Sequence, residues 1–584
     1  MKHFGLFLCA LVFALLAAGC DDTPNYKKGN MYSGFKLIEK KFVKEVDAEC
    51  LYFIHEKSGA RLLKIKNHDT NKLFGIAFKT IPENDCGTPH IMEHSVLNGS
   101  KNFPVKSPFD QLAQGSLNTF LNAMTNSDWT MYPVASMNDK DYFNLMHVYL
   151  DAVFNPLIYS DKRILMQEGW HHELADASAS VEYKGVVYNE MKGAYSNPTR
   201  EQHYQKSKLL FPDNGYGFDA GGYPLAIPKL TYDDFIAFHK KYYHPSNSYI
   251  MLYGNADLDK ELAFIDKEYL SGYTQSDVAV EIPLQKPFDA MKTEVRHYPV
   301  PEGEGVADKT YLSLSFVAGL NTDLKLTSAL QVLSDALVNH EQGPIRRALL
   351  DAGIGQNVDA WLDDSQQNVF EIMVQNANPA DQAKFNDVVF ATLKKVADEG
   401  LDQAIVDGIL NRIEFSLREG NTPQKGLVYF FANLRGWMFA QDPFLGLEYE
   451  TALADLKQGI AQGYLKEVIA QYLVNNTHVL SLALVPEQGL QTKVNQQVEK
   501  ELADFKKSLS SQNIDSLVAE TKALIEYQQR EDPDSLKSTI PSLTLADIGK
   551  ETDWDDVIEK QELGVKVLHC NEFFERYCVC QPIL

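Results

Sequence analysis

Short apolar runs of strand length and longer stretches of helical periodicity alternate through the first 260 residues. Two of the apolar runs flank Ser58-Gly59, a dipeptide typical of a tight turn, and therefore predict a hairpin. Asp139–Ile158 instead repeats apolar residues at helical spacing. The pattern predicts an α+β fold in which helices cover one face of a mainly antiparallel sheet. The predicted strands are Leu51–His55, Arg61–Lys66, Phe74–Thr80 and Tyr249–Tyr253.

The same kinds of element follow in the second part of the chain. Strand patterns and helical patterns alternate again from about residue 309 onwards. The predicted strands are Tyr311–Val317 and Phe370–Val374, and the predicted helices are Leu326–Leu337, Asp381–Glu399 and Asp402–Glu419.

A faint internal repeat relates these two parts. Tyr243–Ile250 aligns with Tyr472–Val479, which places Asn247 over Asn476, and in both copies a helix leads in and a strand follows. We therefore expect two related α/β domains, at 35–275 and 276–510. Residues 511–545 are charged and helical in pattern, with Pro533 and Pro541 as breaks, and predict a helical linker.

Composition narrows the class of protein. The chain has 584 residues, enough for about three to four domains, and 45% of them are hydrophobic. A net charge of −24 argues against nucleic acid and against an anionic membrane surface as partners. The seven cysteines are not spaced as a disulfide framework or as a thiolate zinc site, so the fold must depend on packing.

The first residues indicate export. Lys2 precedes an apolar run, Phe4–Ala18, that is too short to span a bilayer and fits a secretory signal. Small residues before Cys20 resemble the lipobox of bacterial lipoproteins. We expect a lipoprotein signal peptide at 1–20, lipidation of Cys20, a tether at 21–34, and anchoring in a bacterial cell envelope on the periplasmic or surface side. A plain secretory signal is the alternative.

The most informative word of the sequence is His-Ile-Met-Glu-His at residues 90–94. On a helix His90 and His94 lie four residues apart, so both imidazoles leave one face and can hold one metal ion. Glu93 lies beside them, close enough to take a proton from a water molecule at the metal. H-x-x-E-H is the inverted form of a common metalloprotease motif. Two surface histidines on a helix are the plain alternative.

A catalytic zinc needs a third protein ligand. Glu190 is the better candidate, because an apolar run in Gly185–Gly193 brings its carboxylate to the start of a helix. The adjacent pair His171-His172 is less suitable, since neighbouring side chains on a helix diverge. Spacing alone leaves many other acids open.

Several longer words extend the motif. These words are Ser95–Ser100, Gly115–Thr125, Tyr132–Ser136, Asn189–Gly193, Ile345–Leu349, Gly353–Gly355 and Ile413–Glu419. Together with the motif they resemble the presequence-protease branch of the pitrilysin/insulysin metallopeptidases, the inverzincins. The resemblance runs from about residue 35 to about residue 570, with its words in the family's order.

The resemblance implies roles for residues of this chain. His90, His94 and Glu190 would bind one Zn²⁺ per chain, and Glu93 would be the general base. Asn122 and Ala123 would contact the substrate backbone on an edge strand, to which an extended peptide adds; an ordinary strand or loop is the alternative. A further acid should orient a ligand histidine. Some relatives place it where this chain has Tyr183, so no residue is assigned.

The resemblance also implies a larger architecture. Members of this branch form a clamshell of two halves, each of two related α/β domains, joined by a helical linker. This chain matches the first half, the linker and the start of a third domain at 546–584, with Gly564–His569 as its first strand. The family pattern ends near Asn571, so we expect a truncated third domain with an aberrant tail.

These observations predict a zinc metalloendopeptidase that degrades short unfolded peptides, exported and held at a membrane by a lipid anchor. Three alternatives to this prediction remain open. The first is an inactive or weakly active fragment of such an enzyme. The second is a half-size subunit that pairs with a partner half or forms a homodimer, and the third is a peptide-binding lipoprotein without enzymatic activity. The intact motif argues against the last, because a binding module needs no base beside the metal.

Overall fold

The computed structural model describes residues 26–278, 280–363, 365–420, 422–549, 557–562 and 564–570. The described residues up to Ile540 form one compact unit, and those from Pro541 onwards form a second. The predicted signal peptide and tether up to residue 25, including Cys20, and the tail beyond residue 570 lie outside the described residues. None of the helices in the described part combines the length and the apolar character needed to cross a bilayer.

The strands up to residue 260 are β1 (Met31–Tyr32), β2 (Phe35–Val43), β3 (Ala48–His55), β4 (Arg61–Lys66), β5 (Lys72–Lys79), β6 (Asn118–Leu121), β7 (Met124–Thr125), β8 (Trp129–Ser136), β9 (His171–Glu173), β10 (Glu182–Lys184) and β11 (Ser248–Tyr253). Nine of them form one sheet in the order β1-β2-β3-β4-β11-β5-β8-β6, with β7 also paired to β8. All neighbours are antiparallel except β4 and β11, which are parallel. β9 and β10 form a separate hairpin.

The four strands predicted in this part are confirmed, with ends that shift by up to three residues. The predicted turn at Ser58-Gly59 joins β3 to β4, and Gly59 has a φ of +74°, a conformation that glycine adopts without steric cost. The long helix ends at Phe154 rather than Ile158, because Pro156 disfavours helical backbone in the residue before it. The helices of this part are Thr88–Val96, Pro108–Gly115, Asp139–Phe154, Arg163–Glu168, Val186–Ala194, Pro198–Leu210, Tyr232–Tyr242 and Leu258–Ile265.

Helices cover both faces of this sheet. Apolar side chains of the helices named above, such as Met92, Tyr142 and Phe235, form the core on one face. The other face packs against Lys425–Ala440, whose Phe430 and Trp437 are buried on the sheet. The expectation of a single covered face is therefore wrong. The second cover comes from far along the chain, which local periodicity does not reveal.

A second sheet has the strand order β12-β16-β13-β15-β14. Its strands are β12 (Lys292–Val300), β13 (Thr310–Leu320), β14 (Asn357–Asp363), β15 (Gln367–Ala377) and β16 (Val479–Gln488). The elements predicted here are confirmed, except that helical geometry of the α type ends at Ser334 and continues as a π-helical turn, Asp335–Asn339. The helices of this part are Leu324–Ser334, Pro344–Asp351, Gln382–Glu399, Gln403–Glu419, Lys425–Ala440, Tyr449–Ala461 and Tyr464–Val468.

The internal repeat is present in the structure. The Asn247 side chain donates to the carbonyls of Lys79 and Tyr242 at 2.9 and 2.8 Å, and the Asn476 side chain donates to Val317 and Tyr472, both at 2.9 Å. Each asparagine thus ties the end of a helix to a strand. The strand that follows, β11 or β16, is parallel to one neighbour and antiparallel to the other. The chain has two related α/β folds, while the exact domain boundaries stay a prediction.

Two long helices follow β16, at Leu490–Ser508 and Ser511–Gln529, with a short helix at Asp534–Lys537 after Pro533. We call the two long ones the linker helices. The second compact unit contains a hairpin of β17 (Val557–Glu562) and β18 (Val565–Cys570). The strand predicted at Gly564–His569 is therefore the second strand of a hairpin and not a first strand. Its partner β17 is rich in charged residues, which hid it from the hydrophobic pattern.

Candidate metal centre

The His-x-x-Glu-His motif lies on the helix Thr88–Val96, which we call the motif helix. Pro89 in its first turn favours a helix start, and Gly87 before it has a φ of +69°. A Cβ atom at Gly87 would lie 2.6 Å from the Gly221 carbonyl oxygen, so only glycine fits this close approach. One face of the helix is buried in the core through Ile91, Met92 and Val96. The two histidines lie on the other face, away from that core.

The structure brings the three predicted ligands together. Glu190 Oε2 lies 3.8 Å from His90 Nε2 and 3.7 Å from His94 Nε2. Among the described residues, one group of three or more histidine, cysteine, aspartate or glutamate side chains has its ligand atoms within 4.8 Å of one another. It consists of His90, His94 and Glu190. A tetrahedral zinc with bonds of about 2.0–2.2 Å separates its ligand atoms by about 3.3–3.6 Å, so the donor set fits the ion with small adjustments.

The predicted position of Glu190 at the start of a helix is wrong. Glu190 lies in the middle of Val186–Ala194, four residues after the first residue of that helix, with its side chain half exposed. Val187 and Met191 on the same helix are buried, and this packing aims the carboxylate at the two imidazoles. The apolar run that precedes Glu190 in the sequence is the first turn of the helix itself.

The second ring nitrogens of both histidines are engaged. His90 Nδ1 donates to the Gly221 carbonyl oxygen at 3.1 Å, and His94 Nδ1 donates to Glu168 Oε2 at 3.3 Å. Each bond fixes the tautomer that leaves Nε2 available for a metal ion, as in most metal-binding histidines. Glu168 is the orienting acid that the sequence analysis left unassigned.

Glu168 was missed because it precedes Glu190 by 22 residues, far from the place where some relatives carry this acid. It ends the helix Arg163–Glu168, and its side chain is 8% exposed. A carboxylate so well buried needs partners, and it also accepts a bond from the Gln167 amide at 2.8 Å. The sequence carries no local signal for this acid, because its contact with His94 depends on how two helices pack.

The electrostatics of the two histidines differ. Burial, and then the neighbouring His94, lower the pKa of His90 to about 4, which keeps this imidazole neutral. Burial also lowers the pKa of His94, but the hydrogen bond to Glu168 and the nearby carboxylates outweigh it and raise the pKa overall. A site with one neutral imidazole and one imidazole supported by carboxylates suits a divalent cation.

Glu93 is buried on the motif helix, with 8% of its surface exposed. Burial raises the pKa of this carboxyl, and the nearby Thr125 hydroxyl and His94 imidazole offset only part of that effect. A carboxylate with a raised pKa accepts a proton more readily at neutral pH, as a general base requires.

A cavity of about 670 Å³ opens beside the motif helix. His90, Glu93 and Thr125 are among its lining residues, together with Arg200, His203 and Asp363. Asp363 belongs to strand β14, so both sheets contribute to the wall. Its wall is mixed in charge: Arg200 pairs with Asp219, and Lys206 pairs with Asp363 and the buried Glu371. The cavity has room for several side chains of a peptide.

Asn122 and Ala123 lie at the edge of the first sheet, but not inside a strand. They interrupt the edge between β6 and β7. The Asn122 N–H donates to the Pro133 carbonyl oxygen at 3.3 Å, and the Ala123 N–H donates to the Asn122 side chain at 3.0 Å. Met124–Thr125 resume the edge strand next to the motif helix. The edge position matches the prediction, and the assigned contacts with a substrate stay a prediction.

His171 and His172 are not part of the metal centre. They lie on strand β9, so the prediction that the pair belongs to a helix is wrong. His171 Nδ1 donates to the Met166 carbonyl oxygen at 2.6 Å, and the His172 ring stacks on Phe505 of the first linker helix.

Comparisons with known proteins agree with this architecture. A family model described as "Peptidase M16 inactive domain" matches residues 229–413, and a model of the region associated with subfamily C of the same peptidases matches residues 484–574. The chain is 44% identical over 548 residues to "Protein HypA" of Clostridium perfringens, covering 93% of this chain and 56% of that protein. It is 37% identical over 551 residues to "Presequence protease 1, chloroplastic/mitochondrial" of Arabidopsis thaliana, covering 92% and 51%.

Solved structures support the fold. A protease from Helicobacter pylori superposes with a TM-score of 0.59 at 17% identity, over 75% of this chain and 100% of that chain. Pitrilysin superposes with a TM-score of 0.53 at 16% identity, over 81% of this chain and 50% of that chain. The chain spans about half the length of the curated relatives that it matches. The chain belongs to the M16 (pitrilysin) peptidase family, in its presequence-protease branch.

Proposed function

We propose that this chain is a zinc metalloendopeptidase of short unstructured peptides. The observation that carries the proposal is the convergence of His90, His94 and Glu190 on one point, with Glu93 buried beside them. Relatives from Arabidopsis thaliana and Drosophila melanogaster are named presequence proteases, and these names support the same class of reaction.

The residues of the chain divide the chemistry among them. His90, His94 and Glu190 would hold one zinc ion, which supplies Lewis-acid polarisation of the scissile carbonyl and acidifies a water molecule when bound. Glu93 accepts a proton from the attacking water and returns it to the leaving amide nitrogen. Glu168 fixes the orientation of the His94 ring through its Nδ1–H. Loss of Glu93 should therefore stop hydrolysis and leave the metal ligands intact.

The proposed substrate is an extended, unfolded peptide. An extended chain can add to the outer edge of the first sheet beside Met124–Thr125, where backbone hydrogen bonds give affinity with little demand on sequence. In this proposal Asn122 and Ala123 contact the substrate backbone next to that strand. In this proposal the adjoining cavity takes side chains of the bound peptide. The net charge of −24 disfavours nucleic acid as a ligand.

A second candidate function follows from length. The chain spans 56% and 51% of two curated relatives, so we also propose that full activity requires a partner half, which a second copy of this chain or another chain would supply. Activity per chain should then rise steeply with protein concentration. Export and lipid anchoring through Cys20 complete the proposal for its location, at the periplasmic or surface side of a bacterial envelope.

The test is a zinc titration of the purified chain, followed by cleavage of a short unstructured peptide at several protein concentrations, with sedimentation at the same concentrations. The proposal expects one zinc per chain and cleavage that a chelator abolishes. Constant activity per chain for a monomer supports the autonomous enzyme, and activity that follows dimer formation supports the half-size subunit. A chain that binds zinc and cleaves nothing at any concentration contradicts both the autonomous enzyme and the homodimer.

A further inference from the structure

The hairpin of β9 and β10 joins the two acids of the metal centre. Glu168 ends the helix before it, and Glu190 lies on the helix after it. The segments that flank the hairpin contact each other, since the Tyr188 N–H donates to the Gly169 carbonyl oxygen at 3.3 Å. Gly185 packs so tightly on Gly169 that a Cβ atom would lie 2.1 Å from the same oxygen. A shift of the hairpin must therefore move both acids.

The linker helices, more than 300 residues further along the chain, hold this hairpin in place. The Phe505 ring stacks on His172 with the ring centroids 4.1 Å apart and the planes at 12°. The Leu174 N–H donates to the Thr521 hydroxyl at 3.0 Å, and the Lys506 ammonium donates to the Ala177 carbonyl oxygen at 2.9 Å. The apolar centre of this contact consists of Leu174, Val181 and Leu502, all buried.

A row of aromatic rings leads from this contact towards the metal ligand. Beyond Phe505 and His172 come Tyr183, 5.2 Å from the His172 centroid, and Tyr188, 5.8 Å from Tyr183. Tyr188 is buried and lies on the Glu190 helix, two residues before the ligand. Packed aromatic rings transmit displacement because an interior close to crystal density has no free space to absorb it.

The second linker helix also contacts the helix that carries Glu168. The Arg163 guanidinium, in the first residue of that helix, lies 3.9 Å from the Tyr527 ring centroid. The linker therefore contacts the segment before the hairpin and the hairpin itself. The linker helices thus contact the segments that carry both acids, at the hairpin and at the Glu168 helix.

We propose that the linker helices position the metal centre: their docking on the β9–β10 hairpin sets how tightly His94 and Glu190 grip zinc. This inference rests on the proposed function and adds to it a means of regulation, because any movement of the linker changes the strength of that grip. Phe505 and Thr521 are positioning residues. Neither belongs to the set of metal ligands or to the lining of the cavity.

The test measures zinc affinity of the purified full chain by competition with a chromophoric chelator, without substrate. Phe505→Ala removes the stacked ring, and Thr521→Val removes the acceptor for the Leu174 N–H. Each should weaken zinc binding about 3- to 10-fold, less than the roughly 10- to 100-fold loss typical when a direct outer-sphere partner is removed. Phe505→Tyr keeps the ring and should bind zinc with the affinity of the wild type. Ile525 is exposed on the second linker helix, which also carries Thr521, and Ile525→Ala should bind zinc like the wild type.

A double-mutant cycle separates positioning from general destabilisation. If Phe505 acts along the row of rings through Tyr183, Phe505→Ala should weaken zinc binding clearly less in a Tyr183→Ala background than in the wild type. Additive effects, or wild-type affinity for a folded Phe505→Ala chain, overturn the inference. Zinc binding that responds to Phe505→Ala in a chain that cleaves nothing contradicts the proposed function and leaves this inference standing. A chain without zinc affinity overturns both.

Discussion

Replacement of Glu168 by glutamine should weaken the metal centre without touching a metal ligand. The Glu168 side chain is 8% exposed, and its Oε2 accepts the hydrogen bond from His94 Nδ1 at 3.3 Å. A hydrogen bond to a charged group contributes about 1.5–3 kcal/mol, against about 1 kcal/mol for a neutral one. The amide keeps the shape and one acceptor oxygen but loses the charge, so the change costs about 1–2 kcal/mol of zinc-binding free energy.

Every 1.4 kcal/mol is about a tenfold change in the dissociation constant, so Glu168→Gln should weaken zinc binding about tenfold. Glu168→Ala, which removes the acceptor as well, should approach a 100-fold loss. The assay is chelator competition at pH 7 on the purified chain, with circular dichroism to confirm the fold. Glu182→Gln is the matched control, because this carboxylate is 60% exposed and pairs only with Lys184 among the described residues.

The reasoning fails if Glu168→Gln and the control bind zinc with equal affinity. It also fails if Glu168→Gln abolishes zinc binding altogether, since that result would make Glu168 a direct ligand. An intermediate loss together with reduced turnover, at unchanged KM, is the expected pattern for an acid that acts through His94.

Three further predictions concern stability. Burial lowers the pKa of His239 to about 4, so the unfolded chain takes up a proton at higher pH than the folded chain does. The free energy of unfolding should therefore fall by up to about 3 kcal/mol as pH drops from about 6.5 to 4. Urea unfolding at several pH values should show a weaker dependence on pH for His239→Gln. Lys64 and Glu261 form a fully buried ion pair at 2.6 Å; Lys64→Met should cost about 3–5 kcal/mol in urea unfolding, and Lys64→Met with Glu261→Met should cost less than the single change. Gly185 has a φ of +149°, so Gly185→Ala should lower the free energy of unfolding by about 2 kcal/mol or more and also weaken zinc binding, and a neutral result would contradict the close contact described here.

Much of the fold follows from local signals in the sequence. The strands and long helices that the pattern did predict lie close to their observed positions, because side-chain periodicity depends on the element itself. Strand β8 was not predicted, since it is buried on both faces and shows no alternation. The cover of the second face of the first sheet was not predicted. Phe430 and Trp437 provide it from a distance of several hundred residues, and only tertiary packing brings them to the sheet. Weakly apolar elements such as β17 also escaped the pattern.

The metal centre shows the same division. His90, Glu93 and His94 occupy one short word, whose helical spacing is sufficient to place them on one face. The apolar run before Glu190 made it one candidate among many acids, the family resemblance selected it, and the structure places it next to both histidines. Glu168 could not be found from spacing, since its contact with His94 depends on how two helices pack. The role of the linker helices depends on contacts across more than 300 residues and leaves no local trace.

The central claim is that Glu93 is the base of a hydrolytic zinc centre, and one paired measurement tests it most directly. The zinc-loaded chain and its Glu93→Gln variant are compared for zinc content and for cleavage of the same short unstructured peptide. The account predicts one zinc in each protein, turnover in the wild type, and turnover at least 1,000-fold lower in the variant, in the upper part of the roughly 10²–10⁴-fold range of general acid–base catalysis. Equal turnover in both proteins, or loss of zinc from the variant, would contradict it.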